Sequence, residues 1–331
     1  MFFTRIDQAC VLWAERVTTN SIYAPHASDV HPTSTKKNIM TGPLRGVIAA
    51  IATPLTPTNQ PDGARFVDHA RDLLATGCDG LNVLGTTGEA TSFSLQARLA
   101  LMDVAAKALP CEKLMVGTGT PALDDTVLLT RAAWDLGFSG ALVLPPFYYK
   151  DVSEDGLHAY IGALVAATAD APIPLYLYNF PALSGLAYGP ALVARLFEAF
   201  PPRIRGLKDS SGDMDYAHAV AAIDPALSVF PSNEATLLAA HDGPFAGCIS
   251  ATANLNAPLC AKAYRQGDRE SLDKAVAVRA LFTGRPLIAG VKATIAHLRH
   301  DPQWASVCPP LSPSTSTQGE TYAKKVSMLR A

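Results

Sequence analysis

One apolar run of this chain ends in a lysine, Ile204-Arg205-Gly206-Leu207-Lys208, and another, Ile173–Tyr178, ends in a tyrosine. An amine carried at the tip of an apolar segment sits in a poorly hydrated place, and burial disfavours a lysine's charged form. A free amine there can attack a ketone and form an imine. A phenol beside it, from Tyr178, would pass protons to and from the imine's intermediates. Thr86 and Thr87 lie between Gly85 and Gly88, and their hydroxyls and exposed backbone N–H groups suit a small carboxylate. Each feature has an ordinary explanation too. Lys208 could snorkel outward or pair with Asp209, Tyr178 could be a buried core tyrosine, and Glu89 could simply complement a helix dipole. Their joint appearance is what points to chemistry.

These residues can meet only if the elements between them place them at one end of the fold. From Gly46 onward, short apolar runs rich in Val, Ile and Leu recur: Val47–Ala52, Gly80–Leu84, Leu114–Gly117, Ala141–Leu144, Ile173–Tyr178, Ile204–Lys208, Leu227–Phe230 and Ala246–Ser250. Amphipathic stretches separate them, such as Ala64–Ala75, Leu95–Leu109, Asp124–Leu136, Glu154–Ala167 and Pro190–Phe200. Runs without polar alternation are buried on both faces, as in a parallel sheet. Eight strand-then-helix units predict a closed (β/α)8 TIM barrel, an α/β fold. An open doubly wound sheet would show a glycine-rich phosphate loop after its first strand. Here that place holds Thr53-Pro54-Leu55-Thr56-Pro57.

Barrels of this kind do their chemistry at the C-terminal rim of the strands. The polar residues of that rim are Gly85–Glu89, Pro145–Tyr149, Tyr178–Pro181, Lys208–Gly212, Ser232-Asn233-Glu234 and Ser250. About eighty residues follow the eighth run, more than a closing helix needs. They predict a C-terminal helical appendage over roughly Ser271–His300 and Gly319–Leu329. The expected division is therefore a poorly ordered extension over 1–45, the barrel over 46–265 and C-terminal helices over 266–331.

Composition narrows the function. With 27 basic and 29 acidic residues the chain carries a net −2, which disfavours a broad basic face for nucleic acid. No run reaches the ~20 apolar residues of a membrane span. Six scattered cysteines, with no Cys-x-x-Cys pair, fit reduced thiols in a cytoplasmic protein. Residues 1–45 hold five basic and three acidic side chains, a net +2, and charges interrupt any apolar centre a secretory signal would need. His297 and His300 stand three apart, a spacing that can bind metal, but no further histidine or cysteine lies nearby in sequence except Cys308. We expect no metal there.

Gly85-Thr86-Thr87-Gly88-Glu89, Tyr178-Asn179-Phe180-Pro181, Gly206-Leu207-Lys208-Asp209 and Gly247-Cys248-Ile249-Ser250 fall in the order and spacing of one family. From about Gly46 to its C-terminus the chain resembles the dihydrodipicolinate synthase / N-acetylneuraminate lyase family. The resemblance implies a class I, Schiff-base, pyruvate-handling lyase or aldolase on a (β/α)8 barrel, a homotetramer built as a dimer of dimers, acting on a small 2-keto acid and needing no metal or organic cofactor. It implies that Lys208 forms the imine and that Tyr178 donates and accepts protons. Thr86 would relay protons between Tyr178 and Tyr148, the latter contributed by a neighbouring subunit. Thr87 and the backbone of Ile249 would hold pyruvate's carboxylate.

Within that family, synthases that use aspartate semialdehyde carry an arginine two residues after the proline of the Tyr-Asn-x-Pro motif; here Leu183 stands there. Pro181-Ala182-Leu183-Ser184-Gly185 resembles sialic acid lyases, yet Ala251 and Asn233 replace their polyol-binding serine and aspartate. Tyr178–Leu183 followed by Pro190-Ala191-Leu192-Val193 most resembles the 2-keto-3-deoxygluconate aldolase branch. The favoured expectation is cleavage of a 2-keto-3-deoxy sugar acid to pyruvate and a short aldehyde, with Ser210, Asn233 and Glu234 gripping the hydroxylated tail. Synthase activity, sialic acid cleavage and a dehydratase using the same imine stay open. So does a catalytically silent barrel that only binds a keto acid.

Overall fold

The computed structural model describes residues 43–331, so the extension expected over 1–45 lies outside the described residues up to position 42. Eight strands follow in order: β1 Gly46–Ala50, β2 Gly80–Val83, β3 Leu114–Gly117, β4 Gly140–Val143, β5 Leu175–Asn179, β6 Ile204–Asp209, β7 Ser228–Pro231 and β8 Gly247–Ser250. Every pairing is parallel, in the order β7-β6-β5-β4-β3-β2-β1-β8. The remaining seam, between β7 and β8, is bridged where the Ala246 N–H donates to the Val229 carbonyl at 2.9 Å. The fold is a nearly closed (β/α)8 barrel.

The strands are buried on both faces, as their lack of alternation requires. Ile48, Ala50, Met115, Leu142, Tyr176, Tyr178, Phe230 and Ile249 fill the interior. The opposite faces pack against the helix ring, where Phe66, Leu101, Leu129, Leu164 and Leu196 lie fully or almost fully buried. Helices α1 Gly63–Thr76, α2 Leu95–Ala108, α3 Leu123–Asp135 and α4 Glu154–Ala167 alternate with the first strands. Asp62, Ser94 and Ser153 cap α1, α2 and α4 by accepting from free backbone N–H groups. Strand β5 begins at Leu175 rather than at Ile173, because Pro174 has no N–H to give the ladder.

After β5 the chain makes a short helix, α5 Pro181–Ser184, then α6 Pro190–Ala199 and, beyond β6, α7 Met214–Ala221. A five-residue helix, α8 Leu237–His241, follows β7, and α9 Ala253–Gln266 follows β8, stopping at left-handed Gly267. The appendage comprises α10 Arg269–Ala280, α11 Leu287–Leu298 and α12 Ser316–Arg330. The single stretch expected over Ser271–His300 is thus two helices. Gly284 and Pro286 lie between them. Val278, Phe282, Val291, Ile295, Trp304, Tyr322 and Val326 form its own core, which Ala52 joins from the barrel.

Charges along α1 tie that helix to the appendage at the surface: Arg65 bridges Asp62 and Asp301, and Arg299 meets Asp72. Between them lies His69, buried edge-on against Trp304 at 4.9 Å. The His69 Nε2–H donates to Asn254 Oδ1 at 2.9 Å, while Nδ1 accepts from Arg299 at 3.2 Å. That arrangement needs a neutral ring. Burial pulls His69 down to about 4, with Arg299's charge adding to the effect. Its folded value lies below the unfolded one, so its stability contribution is present above pH 6.5 and is lost as pH falls toward 4. The loss is about 3 kcal/mol. Urea unfolding between pH 7 and 4.5, with the ring titration followed by NMR, should show both effects; titration near 6.5 in the folded state would contradict the burial argument.

Among the described residues no helix is long and apolar enough to cross a membrane, and no three His, Cys, Asp or Glu residues converge as a metal site.

Candidate active site

Strands β5 and β6 run in register with Tyr178 opposite Lys208, while Asn179 stands opposite Asp209. Side chains alternate along a strand, so the first pair faces the barrel interior and the second faces out. Asp209 therefore does not pair with Lys208. It accepts from Asn179 Nδ2 at 2.8 Å and from the Ser211 hydroxyl at 2.8 Å. Gly206, one step below Lys208 on the same face, is required by the Tyr176 ring, which a Cβ there would meet at 2.6 Å.

Lys208 is 3% exposed. Its Nζ donates to the Tyr178 hydroxyl at 3.1 Å and lies 4.2 Å from that ring's centroid. The same phenol meets Thr86 Oγ1 at 3.2 Å, so amine, phenol and threonine form one hydrogen-bonded chain. Burial alone would push the Tyr178 phenol up. The Lys208 charge beside it, with hydrogen bonds from Thr86, Ser210 and Lys208, outweighs burial and holds it below the ordinary tyrosine value. A phenol so tuned gives and takes protons more readily than a free tyrosine.

Thr86 and Thr87 sit in a loop whose ends, Leu84 and Glu89, both adopt left-handed backbone at φ 53° and 56°. Non-glycine residues rarely do so, and such strain persists only where the surroundings enforce it. The enforcing contact is a fully buried ion pair: Lys292 Nζ of α11 lies 2.5 Å from Glu89 Oε1. The Cys308 backbone N–H donates to the other oxygen at 2.7 Å. Burial outweighs the Glu89 charge and lowers Lys292 below the usual lysine value. The appendage thus clamps the threonine loop, a role that neither Glu89 nor Lys292 carried in the sequence argument. The visible signal was one lysine in the largely apolar helix Leu287–Leu298.

Tyr178 and Thr86 open onto a cavity of about 260 Å3, whose walls include Arg98, Leu144, Phe147, Phe180 and Leu183. Lys150 fixes one wall by donating to the carbonyls of Phe147 and Ser184 at 2.5 and 2.8 Å. Ile249 packs in the same interior cluster as Tyr178, and Thr87 is buried. Tyr148, 74% exposed, stacks edge-on with Tyr149 on the protomer surface. The other two residues expected to grip the tail have partners within the fold. Asn233 caps a short turn by accepting from the Ala235 N–H at 3.1 Å. Glu234 is fully buried, accepting from Ser250 and Thr252 and pairing with Arg279. Both are engaged within the fold, where a residue following β7 had looked from the sequence like a rim residue. Ser210, by contrast, reaches Tyr178.

Both the sequence and the barrel have known relatives. A family model described as the dihydrodipicolinate synthetase family matches residues 43–328. A DapA-like lyase of Chloroflexus aurantiacus is 33% identical over 267 residues, 80% of this chain and 88% of that protein. The crystal structure of dihydrodipicolinate synthase from Agrobacterium tumefaciens superposes with a TM-score of 0.80 at 26% identity, covering 86% of this chain and 99% of the other. A prophage protein of the same family from E. coli K12, in complex with pyruvate, gives 0.78 at 26% identity over 86% and 98%. The chain belongs to the dihydrodipicolinate synthetase family, whose members are pyruvate-dependent lyases, and is itself an enzyme of that class.

Proposed function

We propose that this lyase cleaves a 2-keto-3-deoxy sugar acid to pyruvate and a short aldehyde through an imine on Lys208. The observation that carries the proposal is the chain from Lys208 Nζ through the Tyr178 hydroxyl to Thr86 Oγ1, at 3.1 and 3.2 Å. The amine adds to the keto carbon and water leaves, giving a protonated imine. Tyr178 as phenolate takes the C4 hydroxyl proton. The C3–C4 bonding pair moves into the imine, which becomes an enamine as the aldehyde departs. Tyr178 then returns the proton to C3, and water hydrolyses the imine to release pyruvate.

Thr87 and the Ile249 backbone would hold pyruvate's carboxylate, and Ser210, beside Tyr178, would contact substrate. Tyr148 of a neighbouring subunit would extend the proton relay through Thr86 in a homotetramer assembled as a dimer of dimers; its exposure on the protomer leaves it free to meet another subunit. The five described cysteines are free thiols, which supports a cytoplasmic setting. The finer choice of substrate rests on Leu183, which lines the cavity where aspartate-semialdehyde synthases carry arginine, and on a cavity at the small end of ligand sites. Turnover of 2-keto-3-deoxygluconate should exceed that of N-acetylneuraminate and of pyruvate with aspartate semialdehyde. Faster synthase turnover would transfer the protein to that branch.

Thr86→Val is expected to lower kcat by roughly 10- to 100-fold. It also removes one of the hydrogen bonds that hold the Tyr178 phenol down. The phenol should rise, and because cleavage uses the phenolate, the ascending limb of kcat against pH should move to higher pH. An unmoved limb would remove Tyr178 from the base role.

A further inference from the structure

Asn82 of β2 is 0% exposed, and neither its amide NH2 nor its amide oxygen has a hydrogen-bond partner among the described residues. Its register partners Ala50 and Met115 face the barrel interior, so Asn82 does too. Buried polar groups are almost always paired, and a side chain orphaned at both ends is costly to keep. A leucine of nearly the same shape would avoid that cost.

The strand register places this amide level with Lys208. Strands of a closed barrel tilt, so one layer of interior side chains draws on alternate strands, one interior position further along each time. The pairs Asn82–Met115–Gly140 lead in this way to Leu142, and Leu142–Tyr176–Gly206 lead to Lys208. The pairs Ile249–Ile48–Gly80 lead back to Asn82. Asn82, Leu142, Lys208 and Ile249 therefore share one layer, which the amide and the amine enter from opposite walls. Leu142 also lines the cavity onto which Tyr178 and Thr86 open. A Cβ at Gly85 would meet Asn82 Nδ2 at 2.4 Å, so the amide rests directly against the turn that carries Thr86. Lys208 Nζ reaches the same turn through two hydrogen bonds, by way of the Tyr178 hydroxyl and Thr86 Oγ1.

An amide that both donates and accepts fits a water or a hydroxyl, which does the same; a carboxylate would satisfy only its NH2. The reaction proposed on Lys208 passes such a group through this layer twice. Water leaves the carbinolamine as the imine forms, and water attacks the imine carbon when pyruvate is released. In release, the water oxygen bonds to that carbon and a proton passes to the Tyr178 phenolate. The carbinolamine hydroxyl then gives its proton to nitrogen as the C–N bond breaks, and the electron pair of that bond stays with the amine.

We propose that Asn82 is a further catalytic residue of this enzyme, holding the water that leaves and re-enters at the imine carbon. The proposal rests on the imine reading of Lys208 and does not depend on which aldehyde is released.

The test uses pyruvate alone. The imine formed with 13C-labelled pyruvate is diluted into D2O containing excess unlabelled pyruvate and quenched at intervals with borohydride. The amount of labelled Lys208 peptide reads hydrolysis, and its deuterium content at C3 reads enamine formation. In N82L the label should be lost about tenfold more slowly, the value of the hydrogen bonds taken from a reacting water. Deuterium should enter at the wild-type rate, and resistance to urea should not fall. If N82L does not fold, N82T and N82V repeat the comparison in one shape with and without a hydroxyl, N82V being the slower to lose label. An unchanged rate of label loss, or an equal slowing of label loss and deuterium entry, overturns the role of Asn82 alone. A wild-type chain that traps no pyruvate overturns the imine reading and Asn82 with it.

Discussion

Lys208→Ala is expected to abolish turnover, lowering kcat by about 10^4-fold or more, while the protein stays folded. Removing a covalent nucleophile leaves only binding and electrostatic residues, and such remnants retain little of the rate. Tyr178 would keep its hydrogen bonds to Thr86 and Ser210, so the interior loses a side chain without stranding the phenol. Lys208→Arg should be equally inactive, because a guanidinium stays protonated and does not add to a ketone. Steady-state kinetics beside thermal unfolding separates the two effects. A tenfold loss with a normal melting curve would mean that another amine carries the chemistry.

Lys292→Met should be strongly destabilising. It leaves Glu89 charged, 2% exposed and held by the Cys308 N–H alone. Breaking a buried pair from one side costs about 3–5 kcal/mol. Urea unfolding measures it. Adding Glu89→Gln should recover a large part of the loss, since the stranded charge is then gone, yet kcat should stay low. The clamp on the strained Gly85–Gly88 loop has been removed in both variants, and Thr86 depends on it. Full recovery of activity in the double variant would show that the loop holds its shape unaided.

The contrast between these two lysines shows what can be read from one chain. Lys208 was legible because parallel strands buried on both faces have no polar alternation, so a charge at a strand tip stands out. The barrel was legible for the same reason, strand by strand. Lys292 lies in a helix that is apolar nearly all round, and its meaning depends on a carboxylate 203 positions away. Arg98, on a helix with exposed and buried faces, looks like any solvated arginine until the fold buries it against the Gly117 carbonyl. Asn233 and Glu234 differ in another way. Their place after β7 is correct for a rim residue, but Ser250, Thr252, Arg279 and a turn N–H had already claimed their oxygens. Side-chain partners of that kind are set by packing across the barrel, which local sequence does not encode.

Everything in the mechanism depends on a covalent bond between one buried nitrogen and a keto carbon. Borohydride reduces such an imine to a stable amine, so incubation with pyruvate and reductant, followed by intact mass and peptide mapping, reads the bond directly. One reduced pyruvyl group per chain is expected, on the peptide containing Lys208. An unmodified chain, or a label on any other lysine, would contradict the account.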